Sequence, residues 1–258
     1  MSRKNYLSKT NIRLIPRLDI KSGKLIKGIK LEGLRVVGDP FLSALKYYED
    51  GADELFFHDA VASLYNQNHL GDLLELITDK VFIPVTVGGG IRTVSDALYL
   101  FRRGADKVAI NTAFVARPEF ITELSSVFGS QSVVGSVEAK CMKLGRWEVV
   151  TESGRENTGI ELNDWISILQ EKGVGEIVVT SVDHEGTRKG FDLKLAKYLN
   201  PTDVPLIFCG GFREPKNTLE LISSYSVEGI CMSDYLHYGR GTISEIKKWS
   251  KINLLNMR

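Results

Sequence analysis

The sequence predicts one α/β domain over residues 1–258, folded as a (βα)8 TIM barrel built from two repeated half-barrels. Eight short apolar runs alternate with eight longer amphipathic stretches. The apolar runs are nearly continuous, as expected for parallel strands that are covered on both faces. The chain also repeats itself at a spacing of about 120 residues, which is too long for a solenoid unit. An open doubly wound sheet is the alternative, and the half-barrel repeat disfavours it.

The predicted strands are short runs rich in β-branched and aromatic residues. They cover residues 13–18, 54–57, 82–87, 107–110, 132–137, 176–180, 206–208 and 229–232. The stretches that follow them have helical periodicity. The predicted helices lie near residues 40–51, 68–79, 93–103, 117–128, 163–172, 192–199, 214–225 and 242–251. Pro40 fits the first turn of the first helix, and Asn163 is a favourable N-cap for the fifth.

Two connections, residues 21–38 and 141–158, are longer than the others and are expected to be loops. Both follow strands, at the end of a barrel where enzymes of this architecture carry their active sites. Residues 147–151 could add a small hairpin to the second loop. The first loop contains several lysines, which suits an anionic substrate. A solvated, mobile loop is the alternative interpretation of the same charges.

The repeat places two carboxylates at matching positions. Asp19 ends the first predicted strand and Glu138 ends the fifth. In a barrel made of two half-barrels, these side chains face each other across the mouth. Carboxylates in a partly dry site can have their pKa values pushed apart, so that one acts as a base and the other as an acid. A single carboxylate at a strand end is more often a cap or an ion-pair partner, but the repetition favours a catalytic pair.

Glycine-rich turns follow strands in both halves and predict two phosphate-binding sites. In the first half the candidate residues are Gly89, Gly90, Asn111 and Thr112. In the second half they are Gly210, Gly211 and Ser233. Glycines let backbone N–H groups approach a phosphate, and the polar side chains add neutral donors. The arrangement suits a small molecule with a phosphate at each end, although tight turns alone also explain paired glycines.

The connection after the sixth predicted strand, residues 180–187, carries hydroxyl, acidic and imidazole groups. Ser181 and Asp183 are candidate substrate-binding residues there. His184 could shuttle a proton, but a surface histidine is the more common explanation. The four histidines show no HxxH or HExxH spacing, so neither a metal nor a cofactor is expected.

The composition is that of an ordinary globular protein, with 43% hydrophobic and 25% charged residues. A formal net charge of +1 gives no global electrostatic reason to bind nucleic acid or a membrane surface. The three cysteines form neither a disulfide framework nor a CxxC zinc pattern. No apolar run reaches the length of a membrane span, and residues 1–10 lack the apolar core of a signal peptide. A cytoplasmic location is therefore expected.

Several motifs occur together along most of the chain. They include Leu18-Asp19-Ile20-Lys21, Val87-Gly88-Gly89-Gly90-Ile91, Gly104-Ala105-Asp106-Lys107-Val108, Ile110-Asn111-Thr112-Ala113 and Asn157-Thr158-Gly159. From about residue 12 to residue 250, the chain resembles the HisF family, the cyclase subunit of imidazole glycerol phosphate synthase. The resemblance implies a (βα)8 barrel that receives ammonia from a HisH-like glutaminase docked on its N-terminal face. With that ammonia, members convert a phosphoribulosyl-formimino aminoimidazole carboxamide ribotide into imidazole glycerol phosphate and an aminoimidazole carboxamide ribotide.

The resemblance also implies roles for individual residues. Asp19 is the catalytic acid/base, and Glu138 occupies the position of a second catalytic residue, which is Asp in the family. Lys27, counted with the substrate-binding residues, orders the mobile loop after the first strand. The residues implied to hold one phosphate are Gly90, Asn111 and Thr112.

Four charged residues match the family's ammonia gate. They are Arg13, Glu54, Lys107 and Glu176. Each lies at or near the start of a predicted strand, so the bottom of the barrel offers two cations and two anions. Because buried charges persist only when they are paired, inward-pointing side chains would close a charged ring. A structural plug is the alternative to a gate that admits ammonia.

Some positions at the mouth depart from the family pattern. Arg17 stands where the family usually has a small residue. Asp234 replaces a serine at the second phosphate site, where a carboxylate would repel a phosphate by about 1–4 kcal/mol at about 4 Å. Either Arg213 or Arg17 neutralises this carboxylate, or that end of the ligand is not a phosphate.

These departures leave three functions open. The leading hypothesis is the cyclase subunit of the histidine pathway. The second is a HisF-like paralogue that channels ammonia for the amidination of a sugar nucleotide in surface-polysaccharide synthesis. The third is a non-catalytic scaffold that docks and activates a glutaminase.

Overall fold

The structure, a computed structural model, describes residues 11–62, 70–253, 255, 257 and 258. The described strands are β1 (Arg13–Lys21), β2 (Lys24–Ile29), β3 (Glu32–Gly38), β4 (Leu55–Asp59), β5 (Val85–Gly88), β6 (Lys107–Ile110), β7 (Val133–Cys141), β8 (Trp147–Thr151), β9 (Glu156–Glu161), β10 (Glu176–Ser181), β11 (Leu206–Cys209) and β12 (Gly229–Met232). Eight of them follow one another around a closed ring in the order β1, β4, β5, β6, β7, β10, β11 and β12. All neighbours in this ring are parallel, which confirms the predicted (βα)8 barrel.

Helices connect the barrel strands, as the amphipathic stretches predicted. The described helices are α1 (Pro40–Glu49), α2 (Gly71–Thr78), α3 (Val94–Phe101), α4 (Thr112–Ala116), α5 (Glu119–Phe128), α6 (Leu162–Lys172), α7 (Leu193–Tyr198), α8 (Lys216–Ile222), α9 (Asp234–His237) and α10 (Ile243–Ile252). The short helices α4 and α9 were not predicted; they follow β6 and β12. Residues 1–10, and residues 68 and 69 of the second predicted helix, lie outside the described residues. Among the described residues, every helix is too short or too polar to cross a lipid bilayer.

Acidic side chains fix the starts of α1 and α6. The Asp39 carboxylate accepts a hydrogen bond from a backbone N–H of the first turn of α1 at 3.0 Å, so Pro40 lies in that turn as predicted. The prediction that Asn163 caps the fifth helix is wrong, because Glu161 occupies the N-cap of α6. The Glu161 carboxylate accepts hydrogen bonds from the next two free backbone N–H groups, at 2.9 and 3.1 Å.

The connection after β1 is a β-hairpin and not the loop that the sequence suggested. β2 pairs antiparallel with β1, with Ile26 opposite Asp19, and β3 pairs antiparallel with β2. Leu25 and Ile26 are buried, so this segment packs apolar side chains against the barrel although its sequence is rich in lysine. The hairpin extends over the mouth of the barrel and carries Lys27 with it. The connection after β7 contains the predicted hairpin, formed by β8 and β9.

The interior of the barrel is layered. Side chains alternate along a strand, so Arg13, Ile15, Arg17 and Asp19 of β1 follow one another up the inside of the barrel. A buried apolar cluster forms the middle of the interior and consists of Ile15, Phe56, Ala109, Val134, Val178, Ile207, Cys209 and Cys231. This apolar layer separates a polar bottom from a polar mouth. A second, larger core lies between the strands and the surrounding helices.

The close approach of Gly175 to the 3₁₀ turn at Ser130–Ser132 yields a test of this packing. A methyl group on Gly175 would collide with the backbone carbonyl of Ser130. We expect Gly175→Ala to lower the free energy of unfolding by about 1–3 kcal/mol, the usual cost of overpacking. Gly38→Ala is the matched control, because its methyl group would lie 3.6 Å from the nearest atom. Its effect should stay within about 0.5 kcal/mol in urea denaturation, and equal losses in both variants would contradict the packing argument.

Candidate active site

The two predicted carboxylates meet at one end of the barrel. Asp19 lies on β1 and Glu138 on β7, and these strands are diametrically opposite in the ring of eight. Both side chains are buried, and both line one cavity beneath the β2–β3 hairpin. The half-barrel repeat explains this placement, because matching strands of two equal halves must lie across the barrel from each other.

Asp19 is surrounded by basic groups. Its carboxylate accepts a hydrogen bond from Arg17 Nε at 2.9 Å, and Lys27 Nζ lies 3.7 Å away. The ring nitrogen Nδ1 of His58 lies 3.3 Å from the same carboxylate. Burial acts to raise the pKa of Asp19, but the charge of Arg17 and the contacts with His58 and Lys27 hold it well below its usual range. Asp19 is therefore ionised and engaged in an ion pair.

Arg17 itself is held from several sides. One terminal nitrogen donates a hydrogen bond to the hydroxyl of Thr180 at 3.2 Å, and the guanidinium lies 5.4 Å from the centre of the Phe56 ring. Burial acts to lower the pKa of Arg17, but Asp19 and nearby acidic groups raise it above its ordinary value. The guanidinium thus forms a fixed positive charge directly above the apolar layer.

Glu138 lies in a different electrostatic environment. Its carboxylate accepts a hydrogen bond from the backbone N–H of Gly154 at 2.8 Å. Burial raises the pKa of Glu138, and the charges of His58 and Arg17 only partly oppose that effect. The pKa values of the two carboxylates are therefore displaced in opposite directions. Of the pair, Glu138 is the one suited to exchange a proton near neutral pH.

The β2–β3 hairpin is attached to the mouth through Lys27. The Lys27 ammonium is buried and hydrogen-bonds to the Glu185 carboxylate. The backbone N–H of Lys30 also donates to the carbonyl of Glu185 at 2.8 Å. Glu185 lies two positions after Asp183, in the connection of residues 180–187 whose acidic groups the sequence pointed to, and the resemblance to the HisF family implies Asp at this position.

The first predicted phosphate site is an open cavity of about 280 Å³. Its lining includes Gly89, Gly90, Asn111 and Thr112, together with His58 and Glu138. Gly89 and Gly90 have φ angles of +93° and +71°, which side-chain-bearing residues rarely adopt. Arg92 and Arg117, which sequence reasoning missed, also line this cavity and add positive charge. Each arginine follows a predicted phosphate motif within a few residues, and this spacing could have identified both as candidate site residues.

Asn111 is fixed by its side chain at the edge of this cavity. Its amide nitrogen donates to the carbonyl of Val150 at 2.9 Å. Its amide oxygen is buried and has no hydrogen-bond partner among the described residues. Thr112 accepts a hydrogen bond from the backbone N–H of Glu152 at 3.3 Å. The β8–β9 hairpin therefore supports the polar residues that follow β6.

The second predicted phosphate site is nearly closed. Gly210, Gly211 and Ser233 line a cavity of only about 10 Å³, which is about the volume needed for one water molecule. Asp234 contributes to the lining and accepts a hydrogen bond from Arg240 at 3.1 Å. Arg188 lies 3.8 Å from the same carboxylate oxygen.

The expectation that Arg213 or Arg17 neutralises Asp234 is wrong. Arg213 pairs with Glu214 at 2.5 Å, and Arg17 pairs with Asp19. The cations beside Asp234 come instead from the loop after β10 and from the segment before α10. Sequence reasoning could not choose among the arginines, because the choice depends on loop geometry.

The remaining residues predicted after the sixth strand hold loops together. The Ser181 hydroxyl donates to the Asp192 carboxylate at 3.0 Å, and Asp192 in turn caps α7. The Asp183 carboxylate accepts a hydrogen bond from the backbone N–H of Cys141 at 2.8 Å. His184 Nδ1 lies 2.8 Å from the carbonyl oxygen of Gly190. The histidine that the structure places in the mouth is His58.

The four charged residues at the strand starts form a closed ring at the bottom of the barrel. Arg13 contacts both Glu54, at 2.8 Å, and Glu176. Lys107 contacts the same two carboxylates, at 3.0 and 2.8 Å. Burial acts to lower the pKa of Arg13, but the two carboxylates raise it. Each cation thus bridges both anions, and the ring lies directly below the apolar layer.

The chain is similar to proteins of a defined family. The family described as "Histidine biosynthesis protein" matches residues 13–242, a range that includes all eight barrel strands. A protein of Legionella pneumophila named imidazole glycerol phosphate synthase subunit HisF is 55% identical over 203 residues, which are 78% of this chain and 96% of that protein. A protein of the same name from Thermococcus gammatolerans is 41% identical over 238 residues, which are 92% and 94% of the two chains.

The buried pair of Arg17 and Asp19 yields a stability prediction. Arg17→Met leaves Asp19 without its main partner and should lower the free energy of unfolding by about 3–5 kcal/mol. Arg213→Met is the control, because that arginine is exposed and should change stability by less than about 1 kcal/mol. In a double-mutant cycle with Asp19→Asn, the loss of unfolding free energy in the double mutant should be about 0.5–3 kcal/mol smaller than the sum of the two single-mutant losses.

The same pair predicts a pH dependence. Because the folded pKa of Asp19 is lowered, its stabilising contribution is present above the ordinary aspartate pKa and is lost as pH falls through the lowered value. Arg17→Met should move that loss to higher pH in denaturation curves measured across the acidic range. Additive mutant effects and an unchanged acid profile would contradict the ion pair.

Proposed function

The chain belongs to the histidine biosynthesis protein family, and on that premise we propose that it is the cyclase subunit of imidazole glycerol phosphate synthase. The similarity to HisF proteins over most of the chain supports this function, and with it an enzyme of the lyase class in histidine biosynthesis. Its substrate is then the phosphoribulosyl-formimino aminoimidazole carboxamide ribotide of that reaction, attacked by ammonia at the mouth.

One observation carries the proposal. The ionic ring and the two carboxylates occupy opposite ends of one barrel interior, and the apolar cluster lies between them. Neutral ammonia can cross an apolar layer, whereas ammonium would lose its hydration without compensation. The layering therefore suits a barrel that admits ammonia at the bottom and uses it at the mouth. In this proposal Arg13, Glu54, Lys107 and Glu176 form the gate.

The roles at the mouth follow from the geometry. The cavity lined by Gly89, Gly90, Asn111 and Thr112 receives one phosphate of the substrate. Glu138 exchanges protons with the reacting nitrogens, since its pKa is raised by burial. Asp19 provides a fixed negative charge opposite it. Lys27 holds the hairpin over the bound substrate through Glu185.

The partner in this proposal is a glutaminase docked on the N-terminal face of the barrel, where the ionic ring lies. The relatives are named as subunits, which implies a complex. The large apolar side chains exposed at that end of the barrel include Phe82, in the segment before β5, and Ile252, at the end of α10. Their exposed fractions, 78% and 81%, give a partner apolar surface to cover.

A second candidate function is favoured by the altered mouth. Arg17 holds Asp19 in an ion pair, and Asp234 with its two arginines nearly closes the second phosphate site. A barrel that channels ammonia to another acceptor, such as a sugar nucleotide to be amidinated, would tolerate both changes. In that case the chain would fail to support growth of a strain that lacks its histidine cyclase.

The catalytic assignment is tested with the full chain, ammonium chloride and the ribotide. Wild type should consume the substrate, and Glu138→Gln should lower kcat by about 10²–10⁴-fold, because a proton-exchanging group is lost. Activity should also fall as pH decreases through the raised pKa of Glu138. Glu171→Gln, which removes an exposed carboxylate of α6, is the control.

Other outcomes separate the alternatives. Failure to turn over the ribotide, together with failure to complement the cyclase-deficient strain, would reject the histidine-pathway function. Full pathway activity in both Glu138→Gln and Asp19→Asn, in the presence of the glutaminase, would identify a non-catalytic scaffold.

The gate is tested by comparing two nitrogen sources. Lys107→Met removes one of the two cations that bridge Glu54 and Glu176. With the glutaminase bound, glutamine-driven turnover should fall more than turnover driven by added ammonium. The expected difference between the two losses is about 10-fold, equivalent to about 1.4 kcal/mol. Lys194→Met, an exposed change on α7, should affect neither. An equal loss with both nitrogen sources would indicate a structural plug.

A further inference from the structure

His58 is an ionisable group in the mouth to which no role has been assigned. It lies on β4, directly beside Asp19 in the register between β1 and β4. Its ring also packs near Gly88, where a methyl group would lie 3.3 Å from His58 Cδ2. The imidazole therefore stands between the acidic residue of β1 and the glycine run that follows β5.

One ring nitrogen of His58 is fixed by protein groups. Nδ1 lies 3.3 Å from the Asp19 carboxylate and 3.3 Å from a terminal nitrogen of Arg17. The Phe56 ring contacts the imidazole edge to face, with ring centroids 6.4 Å apart. These contacts set the orientation of the ring and direct Nδ1 toward β1.

The other nitrogen, Nε2, is available to a ligand. It has no hydrogen-bond partner in the part of the chain that the structure describes. His58 lines both the open 280 Å³ cavity and the cavity beneath the hairpin, and Glu138 lines both as well. A substrate held by the glycines after β5 would therefore lie within reach of an imidazole and a carboxyl group.

We propose that His58 is a further catalytic residue, whose Nε2 exchanges a proton with the reacting substrate while Asp19 positions the ring. This inference rests on the proposed function. Nε2 accepts a proton from the attacking ammonia nitrogen as the new C–N bond forms. The imidazolium then returns that proton to the nitrogen of the leaving aminoimidazole ribotide as the old C–N bond breaks. The ammonia nitrogen forms its other C–N bond at the ribulosyl carbonyl, whose oxygen leaves as water with two of the ammonia protons. The second proton gained by the leaving amine comes from the ribulosyl carbon next to that carbonyl as the new ring becomes aromatic. The ring of His58 ends each cycle neutral, so atoms and protons balance.

The charges around the ring are compatible with this step. Asp19 on β1 and Glu138 on β7 stabilise an imidazolium, whereas Arg17 on β1 and Lys27 on the hairpin oppose it. Arg17 is itself neutralised by Asp19 at 2.9 Å, and Lys27 is neutralised by Glu185. A carboxylate that orients an imidazole and balances its charge is a recurring arrangement in acid–base catalysis.

The experiment measures ammonium-driven turnover of the ribotide by wild type, His58→Ala and His58→Gln, with and without added imidazole. His58→Ala should lower kcat by about 10²–10⁴-fold, with a smaller change in KM. Free imidazole should restore part of that loss in His58→Ala, whose cavity can admit it, and should leave wild type unchanged. His58→Gln should stay inactive in imidazole because its side chain fills the space. The pH–rate profile of both variants should lose one limb of the wild-type profile.

Each result decides a separate question. A His58→Ala variant that retains wild-type kcat, or one whose lost activity does not respond to imidazole and whose pH profile keeps its shape, would overturn the role of His58. Such a result, obtained beside an active wild type, leaves the proposed function intact. An inactive wild type would instead overturn the proposed function and this catalytic role together. Circular dichroism of both variants establishes that they are folded.

Discussion

The buried ion pair between Arg17 and Asp19 is the interaction on which the mouth of this barrel depends. Arg17 lies above the apolar layer with its guanidinium removed from water, and the Asp19 carboxylate 2.9 Å away compensates the cost of burying that charge. The pair in turn orients His58 and attracts Lys27, which holds the β2–β3 hairpin over the site. A single buried charge pair thus links the barrel interior, the covering hairpin and His58.

Much of the fold could be predicted because it follows from repetition along the chain. Eight alternating units and a half-barrel repeat require that β1 and β7 lie opposite each other, and so they predict that Asp19 and Glu138 meet at the mouth. The charged residues at the strand starts were predicted from the resemblance to the HisF family and from their positions at the starts of strands. The hairpin of residues 24–38 was missed, because its lysines hide the apolar residues Leu25 and Ile26 that the hairpin buries.

Less of the site could be predicted, because its details depend on side-chain geometry. Sequence position could not show that Arg240 and Arg188 approach Asp234, since both reach it from loops. Nor could it show that Ser181 would hydrogen-bond to Asp192. His58 was overlooked although it is two residues from Phe56, on the same face of β4. Alternation along a strand gives the face of a residue, but it does not give the partners of its ring nitrogens.

The two sides of the mouth are unequal, and this asymmetry sets the orientation of a ligand. The side that follows β5 and β6 holds a cavity of about 280 Å³ with Arg92 and Arg117 in its lining, whereas the side that follows β11 and β12 has only about 10 Å³ and contains Asp234. Only the first side therefore has the volume for a group as large as a phosphate. In the proposed function, a substrate whose phosphate occupies that side extends toward Glu138 and His58, which line both this cavity and the one beneath the hairpin. On that proposal the reacting atoms lie above the apolar layer, at the point where ammonia that crosses the barrel would emerge.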